Sequence, residues 1–232
     1  MLMCLDRPTG RGTARSSALI GLLVIALHGD LAEIYQPAPL TAMTSPLPVG
    51  PGSATHPEAG LPSTRNPRYA EVVQDAAQYL NLEPALIHAV IAAESAYDPE
   101  AVSHRGAIGL MQLIPESGAR DAYRYLYTAD GIPTAEGLRR PDVNIWLGSA
   151  YLRLLIDHHL TDVPEPAKIP LALAAYNWGV GNLQAVLAGE APQSLEEALA
   201  FISLRCPAVT ARYVAQVLSE QGRLASSGHW SG

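Results

Sequence analysis

Among the 22 acidic side chains of this 232-residue chain, Glu94 stands where a carboxylate is not expected. Leu86, Val90 and Glu94 are spaced four apart, so on a helix they share one face. The first two mark that face as a core stripe, and the glutamate continues it. A carboxylate in such a place is either out of pattern or at the edge of a cleft. Desolvation there disfavours the charged form and raises the pKa. An acid still protonated near neutral pH can protonate a leaving group. The other acids nearby, Asp98, Glu100 and Glu116, fall in no apolar pattern, and Asp98 could as well cap backbone groups.

The elements around Glu94 follow from the local sequence. Pro84 suits the first helical position, where its missing N–H costs nothing. Tyr97-Asp98-Pro99 reads as a stop, because the residue before a proline is pushed out of the helical region. Gly106 and Gly109 bracket a turn ahead of the short apolar run Leu110 to Leu113. A glycine-rich loop folded back past a helix-end glutamate suits a bulky ligand that approaches backbone closely.

Helical spacing recurs along the rest of the chain. Asn66-Pro67 opens a helix carrying Tyr69, Val72, Val73, Ala76, Tyr79 and Leu80. A third helix is predicted from Ser117 to about Tyr127 and a fourth from Pro141. Another begins at about Pro170 and leads to Asn177. Ser194 with Glu197 has capping-box spacing, and a final helix is predicted from about Pro207 to Gln221, with Gly222 as its stop. No convincing strand is present, although Ile108–Leu113 could pair as a small hairpin. The fold class expected is all-α with a single core.

Composition excludes several functions. A net charge of −7 argues against a nucleic-acid-binding surface. No Cys/His grouping has metal-ligand spacing, so neither metal nor cofactor is expected. Cys4 and Cys206 are the only cysteines, and Cys206 alone would remain after removal of a leader. His158 and His159 are adjacent and read as surface residues near a helix end. Tyrosines number ten against one phenylalanine, which suits either a wet sugar-binding groove or helix–helix seams.

Residues 1–35 read as a signal peptide or signal anchor. Arg7, Arg11 and Arg15 precede an unbroken apolar run from Ala18 to Leu27, which is shorter than the roughly 20 residues of a membrane span. No cysteine stands just after the run, so lipidation is not supported. Residues 36–66 are rich in Pro, Ser, Thr, Gly and Ala without periodicity, and read as a linker. Residues 67–225 form the expected catalytic domain, followed by a tail at 226–232.

Several strings resemble one family. Glu94-Ser95, then Ala101-Val102-Ser103, then Gly106-Ala107-Ile108-Gly109-Leu110-Met111-Gln112-Leu113, is similar to the lytic transglycosylase domain of bacterial murein-degrading enzymes. Asn144-Ile145 with Gly148 and Tyr151-Leu152, Ala175-Tyr176-Asn177-x-Gly179, and Pro207 with Arg212-Tyr213-Val214 extend the likeness over about residues 68–220. The segments around Arg120-Asp121, Gly131-x-Pro133 and Leu138-Arg139 look most like the endo-type, membrane-bound branch. Arg105 departs from that branch, where a serine stands, and Tyr176-Asn177-Trp178-Gly179 is nearer the soluble-type enzymes.

The resemblance implies a lysozyme-like, goose-type fold and cleavage of the β-1,4 bond between N-acetylmuramic acid and N-acetylglucosamine. The product would carry a 1,6-anhydromuramic acid end. Glu94 would be the acid and then the base. Ser103, Gln112, Met111, Tyr176, Asn177 and Tyr213 would contact or shape the substrate site, with Asn177 bonding backbone near Glu94 and Ser95 satisfying backbone at the helix end. A monomer acting on peptidoglycan strands is expected, in the periplasm or cell envelope, with cell-envelope machinery as a candidate partner. A hydrolytic, lysozyme-like muramidase and a non-catalytic peptidoglycan-binding component are the alternatives. The first would call for a second acid across the cleft.

Overall fold

The computed structural model describes residues 67–187, 189 and 191–227. The expectations for residues 1–66 and for most of the tail lie outside them. The described residues build nine α-helices and no strands. They are α1 (Pro67–Leu80), α2 (Pro84–Ser95), α3 (Arg120–Tyr127), α4 (Ala135–Arg139), α5 (Pro141–Leu154), α6 (Glu165–Trp178), α7 (Val180–Leu187), α8 (Leu195–Arg205) and α9 (Ala208–Ser226). Single π-helical turns, Pro115–Ala119 and Leu155–His159, lead into α3 and out of α5. The hairpin considered for Ile108–Leu113 is reduced to two isolated bridges, Val102 with Ile108 and Ile108 with Leu113.

α2 is the central element. Its first seven helical residues after Pro84, Ala85 to Ile91, are all buried. A helix apolar on every side must be enclosed by others, and α2 packs between α1 and α9. The main core joins α1, α2, α5, α6, α8 and α9 through residues such as Leu86, Ile87, Ile145, Leu171 and Val214. A smaller core holds Ile108, Leu113, Ala122, Leu138 and Leu147. Tyr151 and Tyr176 pack against both, so the seam between the two cores runs past these rings.

Two helix boundaries differ from the sequence expectation. α6 starts at Glu165 and carries Pro170 in its interior. A proline there removes one backbone hydrogen bond, but the apolar run Leu171–Ala175 is buried and holds the helix. α9 runs through Gly222 to Ser226, because Leu224 is still buried and draws another turn into the core. Two short helices, α4 and α7, have no counterpart in the sequence reading. α4 is a single turn, capped by the Thr134 hydroxyl accepting from Gly137 N.

Candidate active site

Glu94 is the penultimate residue of α2, and the backbone after it turns sharply. Ala96 and Tyr97 both adopt left-handed conformations, with φ of 51° and 68°. Two consecutive non-glycine residues there store strain that surrounding contacts must hold. Tyr97 is held by the residue two turns earlier on α2. Its hydroxyl donates to the His88 carbonyl at 3.2 Å and lies 3.0 Å from His88 Nδ1. Burial lowers the His88 imidazole to about 4, so it is neutral at pH 7. The helix end is tied to the following loop as well: the Ser95 hydroxyl lies 2.8 Å from the Leu110 carbonyl and 3.2 Å from that of Ile91.

The loop is cast around a residue of α5. Asn144, fully buried, accepts from Met111 N at 2.7 Å and donates to the carbonyls of Ile108 and Leu138 at 2.9 and 2.7 Å. Gly109, at φ +80°, lies so close that a Cβ there would collide with the Asn144 amide and the Leu138 carbonyl. From α6, the Tyr176 hydroxyl donates to the Met111 carbonyl at 2.7 Å. Loop 106–113 is therefore bonded to α2, α5 and α6, and Glu94 sits beside a rigid wall.

Burial pushes the Glu94 carboxyl from its ordinary 4.5 up to about 7, and the Tyr213 hydroxyl pulls in the opposite direction. Tyr213 is buried on α9, and its hydroxyl has no hydrogen-bond partner at bonding distance among the described residues. Burial and then the charge of Glu94 hold Tyr213 and Tyr176 well above the ordinary phenol range. Both are thus neutral; the Tyr176 proton is spent on the Met111 carbonyl, which leaves Tyr213 as the donor toward an acid poised to lose its proton. Donors left slack in a free site can tighten once a reacting group arrives.

A cavity of about 170 Å³ opens along this wall, lined by Arg105, Gln112, Ser117, Tyr151, Tyr176, Asn177 and five further residues. No carboxylate lines it. Asp98 accepts from Glu100 N at 2.9 Å, as a turn cap, and Glu100 pairs with Arg139 at 3.3 Å. A larger hollow of about 360 Å³ lies between α2 and α9, and the acid on its lining, Glu220, is paired with Arg223. No cluster of His, Cys, Asp or Glu suited to a metal occurs among the described residues.

The structure brings Glu94, Tyr176 and Tyr213 within electrostatic reach of one another, with Gln112 and Asn177 on the cavity wall. Three predicted contacts are spent differently. Met111 is fully buried, its side chain against Gly148, and it serves the site through its backbone. The Ser103 hydroxyl accepts from Ala107 N at 3.0 Å, inside its own turn. Both Gln112 amide bonds go to the carbonyls of Ala101 and Gly109 at 3.1 and 3.0 Å. Asn177 does not bond backbone near Glu94; the buried Thr210 hydroxyl donates to its Oδ1 at 3.0 Å. That bond leaves the Asn177 NH2 as the free end of the amide. The sequence reading gave no role to Asn144, Thr210 or Tyr151. Asn144 was discoverable, because a side-chain amide beside Ile145 and Gly148 on an apolar stripe must find buried partners.

The family model of the transglycosylase SLT domain matches residues 71–197. Over 140 residues the chain is 33% identical to the endo-type membrane-bound lytic murein transglycosylase A of Citrobacter koseri, covering 60% of this chain and 68% of that protein. It is 37% identical over 120 residues to the membrane-bound lytic murein transglycosylase C of Histophilus somni, covering 51% of this chain and 33% of that protein. The chain thus spans a third of the length of the latter. Among solved structures, an inactive mutant of the lytic transglycosylase Slt from Pseudomonas aeruginosa is similar at a TM-score of 0.57 and 28% identity, covering 70% of this chain and 24% of that one. The 70 kDa soluble lytic transglycosylase of Escherichia coli shares the fold at a TM-score of 0.57, with 24% identity, over 69% of this chain and 24% of that one. Tyr213 and Thr210 lie beyond the residues matched by the family model.

Proposed function

The chain belongs to the transglycosylase SLT family, and on that premise we propose that it cleaves peptidoglycan as a lytic transglycosylase with Glu94 as its single acid and base. The observation that carries this reading is the Glu94 carboxyl, raised by burial to about 7 and within electrostatic reach of Tyr176, on the wall of a cavity that no carboxylate lines. Most glycosidases need two carboxylates, and a one-carboxylate site must draw its nucleophile from the substrate. N-acetylated sugars supply one, because the 2-acetamido oxygen can attack the anomeric carbon.

In this scheme Glu94 protonates the glycosidic oxygen between N-acetylmuramic acid and N-acetylglucosamine as the bond to C1 breaks. The resulting carboxylate then takes the proton of the muramyl 6-hydroxyl, whose oxygen closes onto C1. The product is a 1,6-anhydromuramyl end, and Glu94 ends protonated, as it began. Ring closure is intramolecular, so proximity favours it over attack by water. Tyr213 donates toward Glu94 while it is charged, and the free Asn177 NH2 is placed to donate to the substrate. Site of action is the cell envelope. Among the described residues no helix is long and apolar enough to cross a membrane.

Mass spectrometry of the products from purified peptidoglycan tests this, with Glu94→Gln alongside. Products lighter by one water than hydrolytic fragments, and absent with Glu94→Gln, are expected. Ordinary reducing ends dependent on Glu94 would replace this reading with hydrolysis. Retained polymer binding without cleavage by either protein would replace it with a binding role.

A further inference from the structure

We propose that Arg105 forms a carboxylate subsite that reads the peptide borne by the muramyl sugar, an inference that rests on the function proposed above. Arg105 is the one ionic side chain on the wall of the cavity that also presents Tyr176 and Asn177. Six other arginines, Arg120, Arg124, Arg139, Arg140, Arg153 and Arg223, are paired with carboxylates of this chain. Arg105 has no such partner among the described residues. Arg205 and Arg212 share that state, but neither lines the cavity.

Its backbone is built to present it. Ser103 N donates to the Ala107 carbonyl at 2.9 Å, Gly106 N to the Ser103 carbonyl at 3.0 Å, and Ala107 N to the Ser103 hydroxyl at 3.0 Å. These bonds close a tight turn with Arg105 exposed at its tip. Gly106 has φ +79°, and a Cβ there would meet nothing within 4 Å, so the glycine serves the turn's conformation, not close packing. The turn is continuous with the loop that Asn144 and Tyr176 anchor. A guanidinium on a rigid base is preorganised for a planar carboxylate.

The chemistry of the substrate supplies the partner. The sugars of a glycan strand are neutral apart from the muramyl lactyl group, whose carboxyl is free only when no peptide is attached. The attached peptide carries its own free carboxylates. A chain of net charge −7 would repel such a group, and a lone cation on the cavity wall reverses that locally. Tyr176 and Asn177 lie on the same cavity, and Tyr176 is within electrostatic reach of the acid, so a muramyl ring positioned for Glu94 directs its lactyl arm and peptide along this wall.

The test compares kcat/KM of wild type, Arg105→Ala and Arg105→Lys on three forms of purified glycan strand. The first carries peptides with free carboxylates, the second the same peptides amidated, and the third is stripped of peptide by an amidase and keeps the lactyl carboxylate. Arg105→Ala is expected to lose about ten-fold on the first form, the scale of one charge-assisted contact. The loss is expected in KM with kcat held, with partial rescue by lysine and no loss on the other two forms. A loss on the stripped strands as well would move the subsite to the lactyl carboxylate and overturn the assignment. An equal loss on the amidated strands would reduce Arg105 to a structural part, and no loss on any form would remove its role. In each of these the wild type still cleaves; a wild type that cleaves none of the three overturns the proposed function itself.

Discussion

Glu94 and Asp130 are carboxylates that this fold treats in opposite ways. Glu94 is set at the half-buried C-terminal end of α2 near the neutral Tyr213 hydroxyl, and burial raises it to about 7. Asp130 lies in the exposed loop after α3. Arg120 donates two hydrogen bonds to it, at 2.9 and 2.7 Å, and Arg124 a third at 2.8 Å. Those bonds hold it far below the ordinary carboxylate range. One acid is thereby kept able to carry a proton at neutral pH, and the other is locked as an anion that ties a loop to a helix. Side-chain chemistry is the same in both; water and the counter-charge decide the role.

The largest effect that separates them is expected at Glu94. Glu94→Gln should lower activity by about a thousand-fold or more, read as product release from peptidoglycan. The same variant should be more stable than wild type at pH 8. With a folded pKa near 7 and an ordinary value of 4.5, the native protein binds the extra proton between those values. Stability of the wild type therefore falls as pH rises through that window. The variant's advantage should reach up to about 3 kcal/mol at pH 8 and vanish at pH 4, measured by urea unfolding at both pH values.

Next comes the scaffold that only the Glu94 side requires. Asn144→Ala removes three hydrogen bonds and strands buried backbone groups of Ile108, Met111 and Leu138. A cost of about 3–5 kcal/mol is expected in denaturant unfolding, with loss of activity at temperatures where the variant is still folded. Tyr213→Phe should be milder. It removes the group that favours the Glu94 anion, so the midpoint of activity loss should move upward in pH, and the rate should fall about ten-fold. Thr210→Val releases the Asn177 amide and should raise KM by a few-fold, whereas Thr210→Ser should retain wild-type values.

Much of the Glu94 side was legible in the sequence, and for a definable reason. Period-four apolar spacing placed Glu94 on a core stripe, and Pro84, Pro99 and the paired glycines bounded the helix and loop. Those are local signals. What stayed hidden depends on contacts between distant positions. Met111 reads as a flexible apolar side chain near a ligand, yet Gly148, 37 positions later in the chain, gives it a buried slot. Asn177 reads as a partner for nearby backbone, but Thr210 on another helix takes its oxygen. Ser103 and Gln112 were legible as polar loop residues, though not that their own turns consume their hydrogen bonds. Gly222 has the identity of a helix stop, and the burial of Leu224 overrides it.

The smallest effect is expected on the other side of the comparison. Asp130→Asn breaks exposed ion pairs, which contribute little and are screened by salt. Activity should be retained, and any fall in melting temperature should shrink in high salt. A large, salt-independent loss would show that the loop does more than fasten itself to α3.

The central claim is that burial keeps Glu94 protonated near neutrality, and a carboxyl titration tests it most directly. With side-chain 13C-labelled glutamate, the resonance that disappears in Glu94→Gln belongs to Glu94. Its midpoint should lie near 7, rise in Tyr213→Phe, and coincide with the loss of kcat/KM as pH increases. A midpoint near the ordinary 4.5 would contradict the account, because Glu94 would then be charged at neutral pH and unable to serve as the acid.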